Sequence, residues 1–167
     1  WQPRPGYANP NQDNIAMSDN PNSWPESWPD KDKSWDGYWN GYFGKRTNAD
    51  QESYFVMDDD ADDGHDFYPD STDKTRRGLA LKVGVRGFQW SNMLAEDLIF
   101  WHYDITNEGT TPYQKMVFGM YVDVGIGGQW DSNDDNASFD IDDDITCLLY
   151  TSPSPRDRTR YRMPSSA

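Results

Sequence analysis

Leu79-Ala80-Leu81-Lys82-Val83-Gly84-Val85-Arg86 sets Leu79, Leu81, Val83 and Val85 against Ala80, Lys82, Gly84 and Arg86. Alternation with a period of two marks a half-buried strand, because successive side chains leave a pleated backbone on opposite sides. At Gly87 the phase changes, and Phe88 and Trp90 take the even positions. A glycine at a phase change predicts a β-bulge.

Further strands flank this one. In Asp97–Asn107, the residues Ile99, Trp101, Tyr103 and Ile105 share a face, and Asn107-Glu108-Gly109-Thr110-Thr111-Pro112 has the chemistry of a loop. Met116, Phe118, Met120, Val122, Val124 and Ile126 then alternate with Lys115, Gly119, Tyr121, Asp123 and Gly125, predicting another long strand. Upstream, Tyr54-Phe55-Val56-Met57 is a short apolar run closed by Asp58-Asp59-Asp60. Long strands with short connections predict an antiparallel meander in an all-β domain, a β-sandwich or jelly-roll-like fragment. No stretch has the period of a sizeable helix.

The first part of the chain is different. Trp1–Ser34 is rich in Pro, Asn, Asp and Trp and has neither period. Ser23-Trp24-Pro25 is echoed by Ser27-Trp28-Pro29, and Gly37-Tyr38-Trp39 by Gly41-Tyr42-Phe43. Proline blocks helix interiors and central strands, so extended or looped chain is expected. The expected organisation is an irregular Pro/Trp/Asn-rich segment over 1–51 packing on the sheet, a truncated β-sandwich over 52–146, and a tail over 147–167.

That tail is polar, basic and rich in Pro and Ser, the composition of a disordered segment. Its Cys147–Asp157 and Arg162–Ala167 resemble the translation of the two ends of a sequencing-library adapter, as found on metagenomic reads. The resemblance implies an artefactual tail and a reading frame cut at both ends. Construction scars are set aside before the fold is read. Without the tail's four Arg and one Asp, the formal net charge goes from −14 to −17. Such a surface repels phosphates and anionic lipids, so nucleic acid and membrane surfaces are not expected partners. No apolar run is long enough to insert in a bilayer as a helix. The single cysteine, Cys147, lies in the tail, which leaves no thiol for disulfides, Cys-ligated zinc or thiol chemistry.

Two acidic loops carry candidate metal ligands. In Asp58-Asp59-Asp60-Ala61-Asp62-Asp63-Gly64-His65-Asp66, the residues Asp58, Asp60 and Asp62 have the one-three-five spacing that points carboxylates at one hard cation. Asp131, Asn133 and Asp135 repeat that spacing, with Asp142 in the twelfth place. Neither loop completes the EF-hand pattern. Bound Ca2+ would relieve the repulsion among carboxylates, whereas the simpler reading is a solvated acidic loop. Mg2+ fits less well, since it keeps several waters and needs fewer carboxylates.

The aromatic set Trp24, Trp28, Trp35, Trp39, Tyr42 and Phe43 could stack on sugar rings, and Trp28, Trp35 and Trp39 are the candidate carbohydrate-binding residues, provided that they present coplanar exposed rings. The competing reading makes these aromatics anchors that fasten the irregular segment to the sheet. His102 and Asp104 share a strand face and could serve acid–base work, or form a surface hydrogen bond. Gly-x-Ser-x-Gly and His-Glu-x-x-His are absent, so no catalytic residue is assigned.

The residues Tyr103-Asp104-Ile105-Thr106-Asn107-Glu108-Gly109, Tyr113, Val117–Asp123 and Ile126-Gly127, leading into an Asp-rich loop, resemble a recurring module. It belongs to uncharacterised secreted, multidomain proteins of the Bacteroidota type, and the likeness covers Glu96–Thr146. The resemblance implies an extracellular or cell-surface location, with fibronectin-like neighbouring repeats. The expectation is therefore a non-catalytic module of a larger secreted bacterial protein, stabilised by calcium, with a glycan or other extracellular partner. The alternatives are a carbohydrate-binding module that uses the N-terminal Trp residues, and a fragment of a polysaccharide-active enzyme.

Overall fold

A computed structural model describes residues 1–64, 66–121 and 136–149. Its strands are β1 (Gln2–Pro3), β2 (Ala16–Met17), β3 (Gln51–Asp58), β4 (Leu81–Gln89), β5 (Ile99–Asn107), β6 (Asn136–Asp140) and β7 (Ile145–Leu149). Two short 3-10 turns, Pro21–Ser23 and Lys33–Trp35, are the only helical elements among the described residues. The fold is all-β and antiparallel, as the alternation predicts. Two compact units divide the chain, Trp1–Gln114 and Lys115–Ala167.

In the first unit β3, β4 and β5 form an antiparallel meander, with β1 and β2 both pairing with β3 on its outer edge. Register partners run Tyr54–Arg86–His102, Val56–Gly84–Asp104 and Asp58–Lys82–Thr106, so these nine residues share one face. Phe55, Met57, Val83, Val85, Tyr103 and Ile105 share the other.

The phase change at Gly87 has a cause other than a bulge. Pairing continues one to one through it, Ser53 with Gly87 and Gly87 with Trp101. A Cβ there would lie 2.7 Å from Ser53 Oγ and 3.1 Å from the Trp101 ring. Glycine is needed so that the large indole of β5 can cross the strand closely.

The irregular segment is the layer on the first face. Tyr7, Ala16, Trp28, Trp39, Tyr54 and Val56 form a buried cluster, with Trp24 and Trp35 packed against it. Each large aromatic withdraws about 150–250 Å² from water, which lets few residues anchor a segment with few regular hydrogen bonds. Their indole N–H groups then supply what a sheet ladder would. Trp24 donates to the Met17 carbonyl at 2.7 Å and Trp28 to the Tyr38 carbonyl at 2.9 Å.

The expected strand from Met116 is not formed over 115–121, whose apolar residues Met116, Val117, Phe118 and Met120 are exposed. A period of two becomes a strand only when a neighbour supplies the ladder, and no described residue does so there. Residues 122–126 of that expectation lie outside the described residues. In the second unit β6 and β7 form a hairpin across Ile141–Asp144, and β7 runs over the Thr146–Cys147 boundary into the adapter-like residues.

Candidate functional site

An open cleft of about 220 Å³ lies on the covered face of the sheet, between the N-terminal layer and strands β4 and β5. Val56, Gly84 and Arg86 form its floor and Lys82 and Thr106 one end. His102 and Asp104 form the β5 rim, with Tyr42 packed against His102, and Tyr7, Asp30 and Lys31 line the N-terminal layer's side. The floor is low because Gly84 has no side chain in the middle of the central strand. Nothing in the backbone requires glycine there: a Cβ would meet Asp104 Cβ and Tyr54 Cε2 at an ordinary 3.8 Å. Mid-strand glycine costs roughly 0.5–1 kcal/mol relative to alanine, so an open floor is maintained against a local penalty.

The rear wall is a closed polar circuit. Arg86 lies with its guanidinium 3.8 Å from the Tyr54 ring centroid. It donates to the carbonyl of the fully buried Asn40 at 2.5 Å and to its Oδ1 at 3.4 Å. Asn40 Nδ2 donates to Asp30 at 3.0 Å, and the Tyr54 hydroxyl donates to the same carboxylate at 3.3 Å. Burial lowers the Arg86 pKa from its ordinary value, opposed by Tyr54, Glu52, Asp30 and Asp104. Burial, and then the charge of Asp30, push the Tyr54 hydroxyl well above its ordinary value. A rigid, satisfied wall of this kind holds a site without being altered by it.

The front of the cleft is the opposite. His102, Asp104, Thr106 and the hydroxyls of Tyr7 and Tyr42 make no side-chain hydrogen bond among the described residues. Tyr42 is about half exposed, its ring edge-on to His102 at 4.8 Å and to Phe43 at 4.7 Å. Gly41 allows the tight loop that presents it, since a Cβ there would lie 2.0 Å from the Arg46 carbonyl oxygen. A second groove of about 210 Å³, lined by Ile15, Met17, Ile99 and Trp101, is mostly apolar and offers little to fix a ligand's orientation.

The residues singled out by sequence fare differently. Trp28 and Trp39 are almost wholly buried and edge-to-face at 86°, so they cannot present coplanar exposed rings. Trp35 is half-buried beneath the ammonium groups of Lys31 and Lys45. The sugar platform expected on these three indoles is not built, because the segment needs them as anchors.

Asp58, Asp60 and Asp62 do not converge either. Asp58 pairs with Arg4 at 3.7 Å and Asp60 with Arg76, while Asp62 accepts the Gly64 N–H in a local turn. Arginines supply the countercharge there. No group of three His, Cys, Asp or Glu among the described residues could hold a metal ion. Asp131, Asn133 and Asp135 lie outside the described residues, and Asp142 sits in the exposed β6–β7 turn. His102 and Asp104 do share a face, as their spacing requires, and both line the cleft. Tyr42 belongs to the aromatic set that could stack on sugar rings, whereas Asp30, Asn40 and Arg86 were not legible as site residues. The nearest signal was a lone glycine between Lys82 and Arg86 in a strand that otherwise reads as continuous.

Comparison of the chain with protein-family models, with curated proteins and with solved structures returns no match.

Proposed function

We propose that this chain is a non-catalytic recognition module of a larger extracellular or cell-surface bacterial protein, and that it binds its ligand in the cleft over Gly84. One observation carries the reading: an open-floored cleft whose rear wall is hydrogen-bonded and whose front polar groups make no side-chain hydrogen bond among the described residues. Rigid support behind a set of unpaired polar groups is the arrangement that binding requires. A catalytic reading is less well supported. Asp30 is held by Asn40 and Tyr54, which leaves Asp104 as the one unengaged carboxylate in the cleft, and glycoside hydrolysis uses two.

The acidic composition and the resemblance over Glu96–Thr146 support the extracellular setting. We assign calcium ordering to the second acidic loop, on the spacing of Asp131, Asn133 and Asp135. Millimolar Ca2+ should raise the melting midpoint, and Asp135→Asn should remove the gain while Asp60→Asn leaves it.

The cleft itself is tested by an NMR screen of the isotope-labelled chain with a library of small polar fragments. Hits should gather on the amides of Lys82–Arg86 and His102–Thr106. Hits elsewhere, or none, would sink the reading.

A further inference from the structure

Resting on that reading, we propose that the cleft takes one uncharged saccharide unit, the end or a single residue of a glycan chain.

Size sets the first limit. At about 220 Å³ the cleft is smaller than the roughly 300–1,000 Å³ that encloses a drug-sized ligand, and it suits a single ring. Chemistry sets the second. Unengaged groups along β5 are an imidazole, a carboxylate and a hydroxyl, on alternate residues and therefore about 6.5–7 Å apart. Together they both donate and accept, as vicinal hydroxyls do. Beside them, edge-on to His102 at 4.8 Å, is the half-exposed Tyr42 ring, a partner for the apolar C–H face of a sugar. A polar rim next to an aromatic surface matches a pyranose, which carries both kinds of surface.

Charge sets the third limit. Three cations line the cleft, but each already has a partner. Arg86 is held by Asn40 and Tyr54, Lys82 pairs with Glu108 at 3.3 Å, and Lys31 lies 4.8 Å from the Trp35 ring centroid. An anionic ligand would meet the unengaged Asp104 and the field of a chain with net charge −14. A cationic ligand would meet the charge of Arg86, whose partners Asn40 and Tyr54 are neutral. A neutral polyhydroxyl group meets neither penalty.

This proposal differs from one based on the tryptophans of the N-terminal segment. Of the aromatic echoes in the sequence, Trp39 is buried while Tyr42 lines the cleft. The second echo, Gly41-Tyr42-Phe43, supplies the contact.

The test titrates the full labelled chain with short neutral oligosaccharides of glucose, xylose, mannose and galactose. Oligogalacturonate and a lysine-rich peptide serve as the charged probes. At least one neutral oligosaccharide should shift the amides of Gly84, His102 and Asp104. Gly84→Val, which fills the floor, and Asp104→Ala, which removes the carboxylate, should each weaken it by about tenfold or more, since a hydrogen bond to a charged group is worth at least that. Asp104→Ala lies on the exposed rim and keeps the test open should Gly84→Val disturb the strand. Preference for either charged probe would overturn the proposal, as would neutral binding that both variants leave intact. If polar fragments gather in the cleft and no saccharide does, the saccharide assignment falls and the recognition reading stands. If nothing binds there, both fall.

Discussion

The Trp39 indole N–H donates to the Glu52 carboxylate at 2.7 Å, and both residues are almost wholly buried. The other carboxylate oxygen accepts the backbone N–H groups of Asn48 and of Ala49, the latter at 3.1 Å. One buried anion thus closes the turn into β3 and ties the irregular segment to the sheet. A charge held away from water is tolerated because three donors replace its hydration.

Glu52→Ala should therefore destabilise the domain by about 3–5 kcal/mol, since it strands three buried donors as well as removing their acceptor. Glu52→Gln keeps one carbonyl oxygen but turns an NH2 toward a donor, and about 1–3 kcal/mol is expected. Urea denaturation followed by tryptophan fluorescence measures both. Equal losses in the two variants would show that the carboxylate charge is not what matters.

Gly84 and Gly87 sit three residues apart in β4 and should respond oppositely to alanine. At Gly87 a Cβ meets Ser53 Oγ at 2.7 Å and the Trp101 ring at 3.1 Å, so either the indole or the strand must shift. A loss of about 1–3 kcal/mol is expected, in the range of overpacked sites. At Gly84 the Cβ has room, and reduced freedom of the unfolded chain should stabilise by about 0.4–1 kcal/mol. Thermal melts of the two variants decide it. A destabilised Gly84→Ala would remove the argument that the floor is open for a ligand.

The meander was legible because β4 alternates from Leu81 to Arg86 and β5 from Ile99 to Ile105, and a one-residue slip would carry the buried Leu81, Val83 and Val85 to the opposite face. The bulge expected at Gly87 was not formed, because a period count sees the phase change but not the Trp101 ring that crosses it. Trp28 and Trp39 read first as anchors and second as a sugar-stacking surface, and their burial agrees with the anchor reading. Half of the cleft was visible as His102 and Asp104 on one strand face. Tyr42 was visible as one of the aromatics that could meet a sugar, but Asp30 and Lys31 come from a loop whose position no local pattern encodes. Asp58 and Asp60 fit a cation in sequence, but Arg4 and Arg76 reach them from far along the chain.

Asp59 is a second buried carboxylate with a structural task. It accepts the Leu79 N–H at 2.6 Å and the Leu81 N–H at 3.1 Å, and pairs with Arg76 at 3.4 Å. These bonds hold the chain entering β4, where Ala80 adopts φ +55° while fully buried. Gly78, at φ +64°, leaves no space for a Cβ, which would lie 2.3 Å from the Asp59 carbonyl oxygen. Gly78→Ala combines left-handed strain with that clash, and a loss of at least about 1–3 kcal/mol is expected. Asp59→Ala should cost about 1–3 kcal/mol by leaving the Leu79 and Leu81 N–H groups without their acceptor, while Arg76 keeps Asp60. Hydrogen exchange at Leu79 and Leu81 reports the site directly. Unchanged protection in Asp59→Ala would refute this role.

The last prediction concerns acid. Burial opposes ionisation of Glu108, but the hydrogen bonds and charges of Arg4 and Lys82 outweigh it and hold the carboxyl below its ordinary 4.5. Arg4 reaches it at 3.0 and 2.9 Å and Lys82 at 3.3 Å, so this carboxylate links the N-terminal strand and β4 to the loop after β5. A depressed folded-state pKa gives stability that is present above the unfolded value and lost as pH falls through the folded one. The gain is therefore complete at neutral pH, begins to fall near 4.5, and vanishes once the folded carboxyl is protonated. Because the group is largely solvated, the amount is small, at most about 1 kcal/mol. Wild type should melt above Glu108→Gln at neutral pH, with the difference closing under acid. A difference that persists unchanged below the folded pKa would mean that Glu108 acts through packing and not through its charge.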